Sequence, residues 1–238
     1  MAQAQPKVTS RDEWLAARKE LLTKEKAFSR ARDALSAERR KLPMVEVAKD
    51  YVFDGPSGRA SLRDLFGKHP QLIVYHFMLD PSWEAGCKSC SLIADNIEGG
   101  FVHLAARNTA FAMISRASTA TIEAFKKRMG WTFPWLSSSG NDFNYDFHIT
   151  LDKAKGSTEY NYVDISKFDR EGYGGDGERP GCSVFLRDGD RVFHTYSTYE
   201  RGLDILIGTY NYLDLTPFGR DEKDLKYGME WVRHHDKY

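Results

Sequence analysis

Cysteine is scarce in this sequence, with three residues in a chain of 238, at positions 87, 90 and 182. So few cysteines, and an odd number of them, do not make the disulfide framework of a small secreted protein. We therefore expect a reducing, cytoplasmic environment. Cysteines kept in such a compartment are more often catalytic, redox-sensing or metal-bound than structural.

Long apolar runs and a net charge are missing as well. The apolar stretches fall far below the roughly 20 residues that a membrane-spanning helix needs, so we expect no association with a membrane. Lys plus Arg and Asp plus Glu both number 34, and this balance gives no general reason to expect a nucleic acid as partner. Residues 1–6 show no basic segment followed by an apolar one, so the sequence predicts no signal peptide.

The length is sufficient for one elaborated domain with a full core. We predict a helical extension over residues 1–44, a main domain over residues 45–215 and a tail over residues 216–238 that packs on it. Within the main domain, residues 152–180 are irregular and rich in glycine, and we interpret them as a surface insertion or lid.

The N-terminal helix is predicted from its cap and from a heptad spacing. Ser10 and Glu13 fit a capping box, and the helix should run to about Leu42, where Pro43 stops it. One apolar residue recurs every seven positions: Trp14, Leu21, Phe28 and Leu35. A seam this narrow packs on the main domain or on a second copy of the chain, so a homodimer through this helix is one expected arrangement.

The main domain first alternates strands with helices. The pattern predicts strands over residues 45–53, 71–79 and 109–115. A helix should occupy the segment from the cysteines to about Arg107, weakened in its middle by the pair at residues 99–100.

The second half of the domain predicts a hairpin. Asp188-Gly189 stands between the strand-like residues 183–186 and 191–196, which is a strong turn signal. A parallel β-α-β half followed by an antiparallel half is typical of an α/β fold, with a mixed sheet and helices on both faces.

The chemistry is expected at Cys87-Lys88-Ser89-Cys90, between a predicted strand and a predicted helix. A C-x-x-C alone is ambiguous, because it also occurs in zinc sites and in structural disulfides. At this junction Cys87 lies at a helix N-terminus, where unpaired N–H groups and the helix dipole stabilise a thiolate. Lys88 adds a nearby cation with the same effect. The position after the first strand of a β-α-β unit is the thioredoxin-like redox pattern.

Several long segments also resemble a known family. They are MLDPSWEAGCKSCSLIADN around the cysteines, GWTFPWLSSSGNDFNYDF, SVFLRDGD, VFHTYSTYERG and the closing WVRHHDKY. They resemble a thioredoxin-like family of uncharacterised, mainly bacterial proteins that carry the label of predicted dithiol–disulfide oxidoreductases. The resemblance covers nearly the whole chain. It implies a thioredoxin-like fold with a long N-terminal helix and an insertion before the C-terminal hairpin, whereas the activity is only an expectation for the family.

The sequence departs from thioredoxin itself in two respects. Thioredoxins have an aromatic residue before the first cysteine and Gly-Pro between the cysteines, whereas here Gly86 precedes Cys87 and Lys88-Ser89 fill the middle. Because this dipeptide tunes the reduction potential, thioredoxin's strongly reducing potential is not implied. The fold also places a cis-proline before the hairpin, and Pro180 is the nearest candidate.

Our leading hypothesis is thiol–disulfide exchange with protein or small-molecule disulfides, without a metal or cofactor. Cys87 is the predicted nucleophile, and Cys90, one helical turn deeper, resolves the mixed disulfide. Other residues are expected to border or support the site: Lys88, Ser89, Trp83, Glu84, Arg179, Pro180 and Cys182. His76 is interpreted as a core histidine, and His234 and His235 as surface residues.

Two alternatives remain open on the sequence. In a peroxiredoxin-like peroxidase, Cys87 is oxidised by a peroxide to a sulfenic acid that Cys90 resolves, and Arg179 or the weaker candidate Arg116 holds the peroxide oxygens. In a zinc-binding or interaction module, the three cysteines and one histidine make a tetrahedral site. Cys182 itself is interpreted as a small buried hydrophobic residue or as an alternative disulfide partner.

Overall fold

A mixed eight-stranded sheet organises the chain in a computed structural model that describes residues 5–165 and 175–238. Two glycines of the predicted insertion, at positions 172 and 174, lie outside the described residues. The helices are α1 (Arg11–Arg39), α2 (Lys88–Glu98), α3 (Phe101–Ala105), α4 (Thr119–Met129), α5 (Phe143–Asp146) and α6 (Gly208–Leu213). Short 3-10 helices cover Asp64–Phe66, Lys153–Lys155, Glu200–Leu206 and His235–Lys237.

The described strands are numbered along the chain. They are β1 (Val45–Glu46), β2 (Val52–Gly55), β3 (Gly58–Ser61), β4 (Gln71–His76), β5 (Thr109–Ser115), β6 (Trp135–Ser137), β7 (Thr150–Leu151), β8 (Glu159–Tyr160), β9 (Val163–Asp164), β10 (Gly177–Glu178), β11 (Gly181–Asp188) and β12 (Arg191–Tyr199).

The sheet order confirms the predicted thioredoxin-like fold. The strands lie in the order β1-β12-β11-β4-β5-β6-β2-β3. Strand β4 pairs in parallel with β5, and β5 with β6, whereas β11 runs antiparallel to both β4 and β12. A β-α-β unit and a hairpin therefore meet at the centre, with a long N-terminal helix before them and the insertion ahead of β11, as the resemblance implied.

Alternation along β4 divides the core into two apolar clusters, one on each face of the sheet. Leu72 and Val74 belong to one cluster, and Tyr75 and Phe77 belong to the other. His76 follows the first pair, since its ring stacks on Phe143 at 5.4 Å. Successive side chains of a strand point to opposite faces, so the strand sends Tyr75 and His76 into different environments.

Several elements differ in extent from the predicted ones. Helix α1 ends at Arg39, followed by a tight turn, and β4 ends at His76. The segment over residues 45–53 forms two strands rather than one, because β1 pairs with β12 while β2 pairs with β3 and β6 at the other end of the sheet. The predicted helix to Arg107 is divided into α2 and α3 by the two glycines after Glu98, at the position where the sequence predicted a weak point.

The surface of α1 differs from the rest of the chain. The capping box of Ser10 and Glu13 is present, but the helix has no buried residue. The four residues of the predicted seam, from Trp14 to Leu35, are between 46% and 71% exposed. The seam therefore does not pack on the described main domain, and its pairing with a second copy stays a prediction. No helix in the described ranges is long and apolar enough to cross a membrane.

Candidate functional site

Cys87 occupies the N-cap of α2, where the loop from β4 ends. Its N–H donates to the carbonyl of Met78 at 3.1 Å, and its own carbonyl accepts the N–H of Ser91 at 2.9 Å to begin the helix. The first bond connects Cys87 to the segment that follows β4, and the second is the first backbone hydrogen bond of α2. Cys87 thereby stands among the N–H groups at the start of a helix, which favour a negative sulfur.

Cys90 lies one turn into α2 and belongs to the core. Its side chain is 1% exposed, while Cys87 is partly buried, and both carry free thiols. Helix positions i and i+3 are neighbours on one face, so the two sulfurs share the same side of the first turn. The more accessible sulfur is therefore backed by a second thiol that is almost fully buried.

The two thiols are shifted in opposite directions. A hydrogen bond from the Cys90 thiol, helped by the N–H groups of Cys90 and Ser89 and by the Ser89 hydroxyl, lowers the pKa of Cys87 to about 6 against the opposing effect of burial. Burial raises the pKa of Cys90 well above its ordinary value. At neutral pH the pair therefore consists of a Cys87 thiolate and a Cys90 thiol that donates to it.

The residue before the nucleophile has no space for a side chain. A Cβ at Gly86 would stand 2.7 Å from Cε1 of Phe125 and closer still to the ring of Phe77. Its carbonyl accepts a hydrogen bond from Nε2 of His234 at 2.9 Å. The prediction that His234 is a surface residue is wrong. The C-terminal tail folds back against the loop before α2 and buries this residue, which is only 8% exposed.

A cavity of about 410 Å³ opens at the cysteine pair. Cys87, Ser89 and Cys90 form part of its wall. Apolar side chains form another part: Met78, Leu203, Ile207 and Met229. Tyr75, Tyr160, Pro180 and four charged residues, Arg179, Glu200, Arg201 and Asp204, complete it. Larger cavities of about 670 and 490 Å³ lie elsewhere and contain no cysteine among their described lining residues.

The segment before β11 brings Arg179 and Pro180 to this cavity, as predicted. Strand β11 begins at Gly181, directly after Pro180, and Gly181 pairs with His76 at the end of β4. The hydroxyl of Tyr160 donates to the Pro180 carbonyl at 2.8 Å. The bond before Pro180 is trans, since the described chain contains no cis peptide bond, so this candidate position does not carry the cis-proline of thioredoxin folds.

Other predicted residues stand apart from the cavity. Trp83 and Glu84 lie on the exposed loop before Cys87, and Lys88 points away from the core as an exposed side chain. His76 faces the opposite cluster, where Nε2 hydrogen-bonds the Ser183 hydroxyl at 2.8 Å, as expected of a core histidine. Burial lowers the pKa of His76 to about 3, so the ring is neutral.

Cys182 is buried beside the site without joining it. It lies opposite Tyr75 in the pairing of β11 with β4 and lines a separate, largely apolar cavity of about 270 Å³. Burial raises the pKa of its thiol to about 12. Among residues 5–165 and 175–238, no group of three or more Cys, His, Asp or Glu side chains is arranged to hold a metal ion. The three cysteines do not form the zinc site considered from the sequence.

Tyr75 is the residue that sequence reasoning missed. It sits in the centre of β4, is 1% exposed and contributes to the cavity that holds both cysteines. The alternation of the apolar run already placed it on the face opposite His76. Only the packing of α2 on that face shows which of the two residues meets the thiols.

Comparisons with known proteins place the whole chain in one family. The model described as "Bacterial protein of unknown function (DUF899)" matches residues 3–238. No curated protein matches the chain. Similar solved structures include a peroxiredoxin Q from Xanthomonas campestris, with 13% identity, a TM-score of 0.47 and coverage of 72% of this chain and 98% of that one.

Peroxidoxin BcpB from Mycobacterium tuberculosis is similar at 13% identity, with a TM-score of 0.45 and coverage of 72% and 97% of the two chains. Thioredoxin peroxidase I from Plasmodium yoelii has 13% identity, a TM-score of 0.43 and coverage of 73% and 88%. At these identities the similarity assigns no activity to this chain.

Proposed function

The chain belongs to the family described as bacterial proteins of unknown function (DUF899), and we propose that it is a thiol–disulfide oxidoreductase acting through Cys87 and Cys90. One observation carries the proposal: the thiol of lowered pKa lies at the N-cap of α2, beside a cavity, with a second thiol one turn deeper. A thiolate that substrate reaches, followed by a resolving thiol, is what exchange requires.

The reaction proceeds in two displacements. The Cys87 thiolate attacks one sulfur of a substrate disulfide, forming a mixed disulfide and releasing the first substrate thiolate. Cys90 then loses its proton and attacks the Cys87 sulfur, which releases the second substrate thiolate. The two electrons of the dithiol thus reduce the substrate, and a thiol donor returns the Cys87–Cys90 disulfide to the dithiol.

The substrate enters a recess rather than meeting a flat face. Apolar side chains such as Leu203 and Met229 line part of the cavity, and charges stand at Arg179 and Arg201. A small disulfide, or a single side-chain disulfide presented by a protein, fits such a site. The proposal includes a cytoplasmic location, where reducing thiols would regenerate the dithiol.

Equilibration in glutathione buffers of graded ratio tests the function. The protein should show one two-electron couple assigned to Cys87 and Cys90, read by alkylation of the free thiols and mass spectrometry. Cys182→Ser should leave that couple unchanged, because Cys182 lies in a separate cavity. A chain in which the two cysteines never form a disulfide, or form it only with Cys182, would contradict the proposal.

A second candidate, thiol peroxidase activity, is favoured by the position of Arg179 at the cavity. The guanidinium donates to the carbonyls of Glu178 and Gly175 at 3.0 and 2.8 Å, and the residue lines the cavity that also contains both cysteines. Arg116, the other candidate, instead pairs with the buried Glu178 at 3.2 Å. Peroxide consumption that requires Cys87 and falls in Arg179→Gln would support the peroxidase. If the protein consumes no peroxide, thiol–disulfide exchange remains as the proposed activity.

A further inference from the structure

The resolving step of the proposed exchange needs a negative sulfur at Cys90, in a place where charge is costly. In the reduced protein the Cys90 thiol donates its hydrogen bond to the Cys87 thiolate. Once Cys87 is bound in a mixed disulfide, that anionic acceptor is gone. Cys90 must then ionise inside the core, at 1% exposure, and burial opposes this.

The acidic residues of the cavity are committed to other partners. Glu200 accepts a hydrogen bond from Asn161 at 3.1 Å. Asp204 pairs with Arg220 at 3.0 Å and also with Arg201, its neighbour in the same 3-10 helix. Neither carboxylate is available to relieve Cys90 of its proton, and the described cavity wall contains no histidine.

The nearby phenols differ in what their hydroxyls do. Tyr160 donates to the Pro180 carbonyl at 2.8 Å, and Tyr199 donates to the Phe147 carbonyl at 3.2 Å. The Tyr75 hydroxyl is also buried, but it makes no regular hydrogen bond with any residue that the structure describes. A buried hydroxyl without a regular partner calls for a physical explanation.

Cys90 supplies that explanation. The Tyr75 hydroxyl lies near the Cys90 sulfur, and after burial itself Cys90 is the largest influence that raises the pKa of this phenol, with Cys87 contributing less. The same contact acts on Cys90 in the opposite sense, since Tyr75 and the N–H of Met78 both lower the pKa of its thiol. The contact is therefore one between a donor hydroxyl and a sulfur that prefers to accept as an anion.

We propose that Tyr75 is a catalytic residue of the resolving step. Its hydroxyl donates a hydrogen bond to the Cys90 sulfur as that sulfur becomes a thiolate. The inference rests on the proposed exchange at Cys87 and Cys90. In resolution, the Cys90 proton leaves to solvent, the Cys90–Cys87 bond forms and the bond from Cys87 to the substrate sulfur breaks. In regeneration, a donor thiolate bonds to Cys87, the Cys87–Cys90 bond breaks and its electron pair stays on the Cys90 sulfur, which hydrogen bonds from the Tyr75 hydroxyl and the Met78 N–H stabilise. A second donor thiolate then bonds to the first donor sulfur and releases Cys87 as a thiolate.

An aromatic disulfide, 5,5′-dithiobis(2-nitrobenzoate), separates the two steps in the full-length protein. Attack by Cys87 releases a first coloured thiolate, and attack by Cys90 on the resulting mixed disulfide releases a second. Tyr75→Phe should leave the first phase unchanged and slow the second about tenfold to a hundredfold, the effect of losing one hydrogen bond to a charged group. The pH midpoint of the second phase should move upward.

Tyr51→Phe is the matched control. Tyr51 is a similarly buried phenol on the opposite face of the sheet, where its hydroxyl bonds Asp146 at 2.6 Å, so both phases should be unaffected. Tyr75→Phe itself removes one oxygen without a regular partner and should fold.

Two results would overturn the role of Tyr75: a second phase of wild-type rate and pH midpoint in Tyr75→Phe, or an equal slowing of both phases. A wild-type protein that releases only the first thiolate would instead reject the Cys87–Cys90 exchange, and this inference with it.

Discussion

The start of α2 and the start of β11 each place a cysteine in the same apolar cluster, yet the two thiols are opposites. Hydrogen bonds from the Cys90 thiol and from helix N–H groups lower the pKa of Cys87 to about 6. Burial alone raises the pKa of Cys182 to about 12. The comparison teaches that residue type and apolar surroundings do not make a reactive thiol. Donors directed at the sulfur do.

The backbone explains why donors exist in one region and not in the other. The first N–H groups of a helix have no partner within the helix, so those of Ser89 and Cys90 are free to serve the Cys87 sulfur. In β11 the backbone groups of Cys182 belong to a strand paired on both sides, with β4 and β12. No hydrogen bond lowers the pKa of the thiol there, and burial keeps it protonated.

Removal of the low-pKa thiol of Cys87 should have the largest effect on the difference between the two regions. Cys87→Ser should lower the rate of iodoacetamide alkylation at pH 7 by about a hundredfold or more, because the two remaining thiols are buried and protonated. Quenched time courses read by mass spectrometry measure this. Cys90→Ser is the control for a missing thiol and should still react at position 87. Rapid residual alkylation in Cys87→Ser would show that another sulfur is the nucleophile.

The pH profile of alkylation sharpens the comparison next. Since the pKa of Cys87 is lowered to about 6, its thiolate is nearly fully formed at pH 7, and below pH 6 the rate should fall about tenfold per pH unit. The rate should level off above pH 7 instead of continuing to rise up to the pKa of an ordinary thiol. In urea the midpoint of the pH profile should return to the pKa of an ordinary thiol, because unfolding removes the hydrogen-bond donors. A native midpoint near 9 would contradict the assignment.

The loop before α2 offers a smaller perturbation, through Gly86. Gly86→Ala forces a methyl group against Phe77 and Phe125 and should cost about 1–3 kcal/mol of unfolding free energy, measured by urea denaturation. The displaced helix start should also raise the pKa of Cys87. Gly99→Ala is the control, because a Cβ there meets no atom within 4 Å. Equal effects at both glycines would argue against close packing of the loop.

Removal of the thiol in β11 should have the smallest effect. Cys182→Ala should leave the alkylation rate and pH midpoint of Cys87 unchanged, since the two residues line different cavities. We expect a loss of about 1 kcal/mol in unfolding free energy from the small cavity created. A changed Cys87 midpoint would show that the two regions are coupled.

Much of the architecture was predictable, because it depends on local pattern. Strand β5 coincides with the predicted residues 109–115, and the hairpin closes at Asp188-Gly189 as its turn residues indicate. The segment over residues 45–53 was predicted wrongly, because local alternation carries no information about which strand is the partner. Its two halves pair at opposite ends of the sheet, and that choice depends on contacts far apart in the chain.

The candidate site divides in the same manner. The C-x-x-C at a strand-to-helix junction placed Cys87 at the N-cap, because helix geometry is local. The contributions of His234 and Tyr75 depend on long-range packing: the tail returns to cap the Gly86 carbonyl, and α2 covers one face of β4.

The sequence alone determined the α/β fold, the extent of strand β5, the turn of the hairpin and the place of the cysteine pair, since each is set by residues close together in the chain. Only the tertiary structure decided that Cys182 lines a separate cavity and that His76 lies on the face of the sheet opposite the cysteine pair. It also decided that the phenol of Tyr75 lies beside Cys90. The physical reason is that a side chain's pKa and partners depend on what is packed around it, and those atoms come from distant segments.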